Sequence, residues 1–250
     1  MIKVADAYEA INSVAPFNTQ LDFDNSGLLV GDANADVSKV AIALDATYDT
    51  VKAAIDSNCQ LLITHHPVIF SPLKRITADD VCYYAVKNGV SIISAHTNLD
   101  AANGGVNDCL SEVLGLKDVQ PLADSGDIPM GRVGFLNAVS AQSFAAYLKS
   151  SLDCGCVKFV ANVGPIKKVA ICGGAGGDFI LAAKQSGADA YVTGECRHHE
   201  RLLAKQLGIG LFECGHFSTE QFVKNALKIL TDKIGLESVV IDEKDPADYL

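Results

Sequence analysis

The stretch VAIALDATYDTVKAAIDSNCQLLITHHP, residues 40–67, decides the fold. An apolar, β-branched run opens it, a helical-period segment follows near 49–57, and a second short run, LLIT at 61–64, closes it. Short apolar runs that alternate with helical segments predict the parallel strands and crossover helix of a βαβ unit. Outward from it, a helix is expected near 78–88 and a third run, VSIISA, at 90–95. Past residue 120 the periodicity stops in PLADSGDIPMGRVG, where Pro121, Gly126, Pro129, Gly131 and Gly134 cluster. The second half resumes with a helix near 141–151, a run at 157–161, VAIC at 169–172, a helix near 178–186, AYVT at 190–193 and GLFEC at 210–214. The reading is α/β in two lobes, residues 1–125 and 126–250.

The halves echo one another. A shift of 129 pairs Val40, Ala41 and Ile42 with Val169, Ala170 and Ile171, Asp49 with Asp178, Ala53 and Ala54 with Ala182 and Ala183, and Thr64 with Thr193. Two accounts stand: a duplication, or the shared composition of any two strand–helix–strand units. A shift of about 120 then sets VSIISAHTNLD over GLFECGHFSTE, so each half ends a strand in His-x-x-x-acid.

Composition narrows the classes. The formal charge of −10 argues against general affinity for nucleic acid, whose phosphates need Lys and Arg. No apolar run reaches the ~18 residues of a membrane span and the first residues do not read as a signal peptide, so a cytoplasmic protein is expected. The eight cysteines are scattered without a CxxC, which reads as reduced core thiols.

Chemistry concentrates in three strand-end motifs. Thr64-His65-His66-Pro67 follows the LLIT run. Adjacent side chains of an extended segment point to opposite sides, so the two imidazoles are expected to diverge and serve different metals. His96-Thr97-Asn98-Leu99-Asp100 ends the next strand; a helical turn there would put His96 and Asp100 on one face. The third is Gly215-His216-Phe217-Ser218-Thr219-Glu220-Gln221, in which Ser218 and Gln221 fit a capping box that would put Glu220 in a first helical turn. Each motif alone has a structural reading as a cap or a core histidine. Together they gather four of six histidines and two carboxylates. Imidazole with carboxylate and no cysteine suits catalytic rather than closed structural zinc, and equally manganese, iron or cobalt. The turn CGGAGGD at 172–178 is neither a P-loop nor a full dinucleotide fingerprint, and tight packing explains it better than a phosphate. His198 and His199 read as a solvated helix start, and Cys154-Gly155-Cys156 receives no role.

The motifs FDNSGLLVG, LLITHHPVIF, SAHTNLDAANGGVND, CGGAGGDF, DAYVTGECRHH and GHFSTE together resemble the NGG-interacting factor three-like family, the GTP cyclohydrolase I type 2 homologues. The resemblance spans nearly the whole chain and is to the short form, without the inserted domain. It implies two interlocking α/β lobes with two divalent ions (Zn, Fe, Mn or Co) in the cleft between them, and a toroidal homohexamer. The implied ligands are His65, His66, Asp100, His216 and Glu220, with His96 beside the metals as a proton-transfer group. The expected activity is hydrolysis of GTP, another nucleotide or a phosphorylated small molecule; the alternative is a non-enzymatic hexameric metal-binding or regulatory scaffold.

Overall fold

The computed structural model describes residues 2–122, 130–161 and 164–250. The chain forms two compact units, Met1–Gly105 with Val223–Glu243, and Val106–Phe222 with Lys244–Leu250. The lobe junction expected at 125/126 lies outside the described residues.

The first unit is built on a five-stranded sheet in the order Glu237–Val240, Lys39–Ala43, Leu61–Thr64, Ser91–Ser94, Gly27–Val30. All neighbours are parallel except the last strand, which closes the edge antiparallel to Ser91–Ser94. Every residue of Leu61–Thr64 and Ser91–Ser94 is buried, as expected of parallel strands covered on both faces. The helix Tyr48–Asp56 starts where Thr47 and Thr50 cap each other: Thr47 Oγ1 accepts from the Thr50 amide at 3.1 Å, and Thr50 Oγ1 from the Thr47 amide at 2.8 Å. The helix expected at 78–88 is trimmed to Val81–Lys87, because Asp80 caps it by accepting from the amides of Cys82 and Tyr83.

The second unit holds a six-stranded mixed sheet in the order Lys117–Leu122, Gly131–Val139, Ile166–Cys172, Ala190–Thr193, Gly210–Glu213, Lys158–Val160. Its three central strands Ile166–Cys172, Ala190–Thr193 and Gly210–Glu213 are parallel, and the strands outside them are antiparallel to their neighbours. Phe144, Val169, Ile171, Val192 and Phe212 form its core. Among the described residues no helix is long and apolar enough to cross a membrane. Five of the eight cysteines, Cys59, Cys82, Cys154, Cys172 and Cys214, are buried.

The structure decides between the two accounts of the internal echo. Strand pairing has the same register in both units: Val40 lies opposite Leu61 and Thr64 opposite Ala43, while Val169 lies opposite Ala190 and Thr193 opposite Cys172. The connecting hydrogen bonds match as well. The Gln60 and Asp189 amides donate to Lys39 and Lys168, those of Ser91 and Gly210 to Gln60 and Asp189, and those of Ala95 and Cys214 to Thr64 and Thr193. Even the strand entrance repeats. Gln60 Oε1 accepts from the amides of Ser38 and Lys39, and Asp189 Oδ2 from those of Lys167 and Lys168. Shared composition does not produce matched side-chain clasps, so the halves are a structural duplication.

Because Asp189 satisfies two backbone donors at the sheet entrance, Asp189→Ala is expected to lower unfolding free energy by about 1–2 kcal/mol. Asp189→Asn, which keeps an acceptor oxygen, should recover most of the loss. Urea midpoints of the three proteins check this.

Candidate metal centre

Parallel strands deliver their C-terminal ends to one edge, and there the first unit gathers three imidazoles. His65 and His66 follow Leu61–Thr64, and His96 follows Ser91–Ser94. Their rings lie 4.9 Å (His65–His66), 5.1 Å (His65–His96) and 5.6 Å (His66–His96) apart, and one nitrogen from each falls within 4.8 Å of the others. The expectation that His65 and His66 diverge is therefore corrected. Alternation applies only within an extended strand, and here the amides of both residues donate to the single carbonyl of Leu44, at 3.2 and 3.0 Å. That turn brings neighbouring side chains to the same side.

Each ring is fixed through Nδ1. His65, fully buried, is 2.8 Å from the Ala95 carbonyl, His66 is 2.7 Å from Asp45 Oδ1, and His96 is 2.8 Å from Asp24 Oδ1. A carbonyl oxygen only accepts, so His65 Nδ1 carries a proton and Nε2 is the nitrogen left to face a ligand. That nitrogen lies 3.5 Å from Asp100 Oδ1. Histidine metal ligands are characteristically held in this way, with the second nitrogen on a carbonyl or carboxylate. Asp24 also accepts from the Thr97 amide at 3.0 Å, from Thr97 Oγ1 and from Ser26 Oγ. Burial alone raises its carboxyl, but the bonds from His96 and Thr97 and the charge of His96 outweigh this and hold it well below the usual carboxylate range.

The short helix Thr97–Ala101 begins after His96, which occupies the cap position, and Asp100 lies on the helix itself. The corresponding helix in the second unit, His216–Glu220, starts from Gly215, whose φ of +92° is a conformation that favours glycine. This corrects the capping-box expectation. The helix begins two residues before Ser218, so Glu220 stands at its fifth residue rather than in a first turn. At that i,i+4 spacing His216 Nε2 and Glu220 Oε2 are 3.1 Å apart, and Glu220 is buried.

The glycine-rich turn serves this carboxylate. A Cβ on Gly174, at φ +61°, would fall 2.2 Å from Glu220 Oε1, and one on Gly173 would stand 3.3 Å from Glu220 Cγ. Three of the turn's amides are taken up internally: Gly173 donates to Asn107 Oδ1, Gly174 to Thr219 Oγ1 and Gly176 to Thr193 Oγ1. The close contacts to Glu220 and these three bonds are the tight packing expected of the turn. Exposed His199 lies in the first turn of the helix His198–Leu207, which Glu200 caps by accepting from the Arg197 amide. Burial pushes the Cys82 and Cys109 thiols up to about 11 and that of Cys196 up to about 12, which leaves these three poor nucleophiles.

Asp24, Asp45 and the Gly173-Gly174 pair serve the site without belonging to its histidine motifs. Asp45 ends the VAIALD run and Asp24 sits in FDNSG, both strand-end or turn carboxylates, the positions where ligand-orienting groups collect.

Fold and donors define an α/β protein of two duplicated units, each carrying imidazole and carboxylate groups at the ends of its parallel strands. The profile of the Duf34/NIF3 (NGG1p interacting factor 3) family matches residues 2–246, and the chain belongs to that family. A Clostridium perfringens protein named GTP cyclohydrolase 1 type 2 homolog is 35% identical over 230 residues, 88% of this chain and 87% of that one. A solved Staphylococcus aureus protein superposes with a TM-score of 0.91 at 29% identity, covering 99% of both chains. A Bacillus cereus protein described as related to NIF3 gives 0.91 at 25% identity, covering 100% of this chain and 99% of that one.

Gly174→Ala is expected to destabilise the chain by about 1–3 kcal/mol, since it both strains a positive φ and meets a buried carboxylate. Gly173→Ala, with a looser contact, should cost less. Denaturant unfolding in the presence of a chelator measures this apart from any bound metal.

Proposed function

We propose that the chain holds two divalent metal ions in a cleft between two interlocking lobes, with His65, His66, Asp100, His216 and Glu220 as ligands, and that it is a metal-dependent hydrolase of a nucleotide or another phosphorylated small molecule. The observation that carries this reading is the imidazole cluster of the first unit, each ring held through Nδ1, with one nitrogen of each within 4.8 Å of the others and His65 Nε2 3.5 Å from Asp100 Oδ1. His216 and Glu220 make two donors, where zinc and its neighbours take at least three protein ligands, so the second set needs the first. The mixture of nitrogen and oxygen donors fits zinc, iron, manganese or cobalt.

Two such ions, when bound, supply Lewis-acid polarisation of a phosphoryl or carbonyl oxygen and lower the pKa of water toward neutrality. The protein's part is positional. Asp45 and the Ala95 carbonyl orient His66 and His65. Glu220, seated on the glycine turn, would supply the carboxylate shared by the two ions. His96, gripped by Asp24 through Nδ1, presents Nε2 and is the group suited to carry a proton to or from the reacting atoms. The name borne by the Clostridium perfringens relative points to GTP among nucleotides. Self-association as a ring-shaped homohexamer in the cytoplasm belongs to the same proposal.

Elemental analysis of the purified protein is expected to give about two metal ions per chain, falling in Glu220→Ala and in His65→Ala. Metal bound only to the native state adds about 2.7 kcal/mol at a hundredfold excess over its Kd, so chelation should lower the melting temperature. A metal content of zero across these preparations sinks the reading.

If His96 moves the proton, His96→Ala should keep its metal content while losing turnover of GTP or of a phosphoester panel by about 100-fold or more. Parallel loss of metal and turnover would instead make His96 a ligand.

A further inference from the structure

Beside the imidazole cluster, the first unit carries two aromatic rings that its core does not use. Phe23 and Phe70 are 63% and 53% exposed. Their backbones are nonetheless tied down. Asn25 Nδ2 donates to the Ile69 carbonyl at 2.5 Å, which joins the segment bearing Phe23 to the segment bearing Phe70. Val68 and Ile69 pack against the core, and Asp24, next to Phe23, is the carboxylate that grips His96. The two rings are 6.3 Å apart and tilted by 51°, so they do not stack on and cover each other. Phe70 stands 6.4 Å from the His96 ring, edge to face at 77°. The aromatic pair is thus continuous with the imidazoles. The same exposed loop runs on through Lys74 and Arg75, adjacent cations in a chain whose net charge is −10.

We propose that Phe23 and Phe70 form the seat for a planar heteroaromatic ring bearing an anionic group, and that Lys74 and Arg75 meet the anion. Exposed apolar side chains on a fixed backbone lose little freedom when a flat ring settles on them, and a stacked ring covers them from water. The tilt leaves the faces open to a ligand, and the edge contact from Phe70 to His96 sets that ligand next to the group assigned to proton transfer. A second copy of the chain is the competing occupant, but it does not account for the cationic continuation of the loop. The proposal names the substrate class of the proposed active site and rests on that reading for its chemistry; binding of the ring itself does not require the metal.

The test is calorimetric titration of the full chain, with metal content measured on each sample, using GTP, ATP and flavin mononucleotide as probes and tripolyphosphate and ribose 5-phosphate as ring-free controls. At least one ring-bearing probe should bind about tenfold or more tighter than both controls, and Phe23→Ala and Phe70→Ala should each weaken it by about tenfold. Phe70→Tyr should restore binding, and Lys74→Ala with Arg75→Ala should weaken the nucleotide but leave its uncharged nucleoside unchanged. The proposal is overturned if no ring-bearing probe exceeds the controls, or if the alanine variants bind as the parent does. It is equally overturned if they change the oligomeric state on size exclusion, which would assign the rings to contact between chains. Metal-free protein that still binds the probes through Phe23 and Phe70 supports this inference while defeating the metal reading, so the two fail separately.

Discussion

Both units depend on one constraint: in a parallel sheet every strand delivers its carboxyl end to the same edge. The residues that follow successive strands must meet there whether or not they are neighbours in sequence. Two contacts enforce it in the first unit. The Ala95 amide donates to the Thr64 carbonyl, which aligns the exits of the two strands, and the Ala95 carbonyl takes the Nδ1 of His65. The same backbone residue therefore sets the strand register and the orientation of a metal-ligand candidate. A one-residue slip would turn the side chains of Ser91–Ser94 to the opposite face and remove the carbonyl that fixes His65.

Much of this was legible in the sequence because it rests on local pattern. LLIT and AYVT form strands with the bounds their pattern predicts, since short β-branched runs flanked by turn residues carry their own signal. The strand ends bearing His65, His96 and His216 followed directly. What was not legible depends on long-range contact. The strand Glu237–Val240 pairs with Lys39–Ala43 across nearly the whole chain, and nothing near either segment announces it. The grip of Asp24 on His96 spans 72 residues, and the pinning of Asn25 on Ile69 spans 44. Local rules also failed where the backbone leaves regular structure. Strand alternation predicted that His65 and His66 would part, and the shared bond to Leu44 cancels it. The capping pattern at Ser218 was real as a pattern, but Gly215 had already started the helix.

The duplication gives the two units a common frame, and that frame separates the His-x-x-x-acid motifs that look equivalent in sequence. Matched strand pairing puts Ser91 with Gly210 and Ala95 with Cys214, an offset one residue short of the one that aligns the motifs. In structural terms His96 corresponds to Gly215, the cap, while His216 corresponds to Thr97, the first helical residue. Asp100 and Glu220 likewise occupy adjacent rather than identical places, about 100° apart around a helix. His96 and His216 thus differ in place as well as in partner: Asp24 holds the first, and Glu220 and Glu195 flank the second.

The same frame explains why the donors divide unequally. His65 and His66 correspond to Gly194 and Glu195 in the second unit, following the strand whose register matches their own. Gly194 has no room for an imidazole: a Cβ there would lie 2.6 Å from the Gly174 carbonyl, 2.9 Å from the Cα of His216 and 2.9 Å from Thr219 Oγ1. The space a histidine would need at that position is filled by the glycine turn and the start of the short helix, the two features that seat Glu220 and aim His216. Packing a buried carboxylate onto the glycine turn and keeping a double histidine at the strand end are therefore mutually exclusive within one unit. Each half of the duplicated chain keeps one of the two arrangements, and the asymmetry of the donor set follows from packing before any metal is considered.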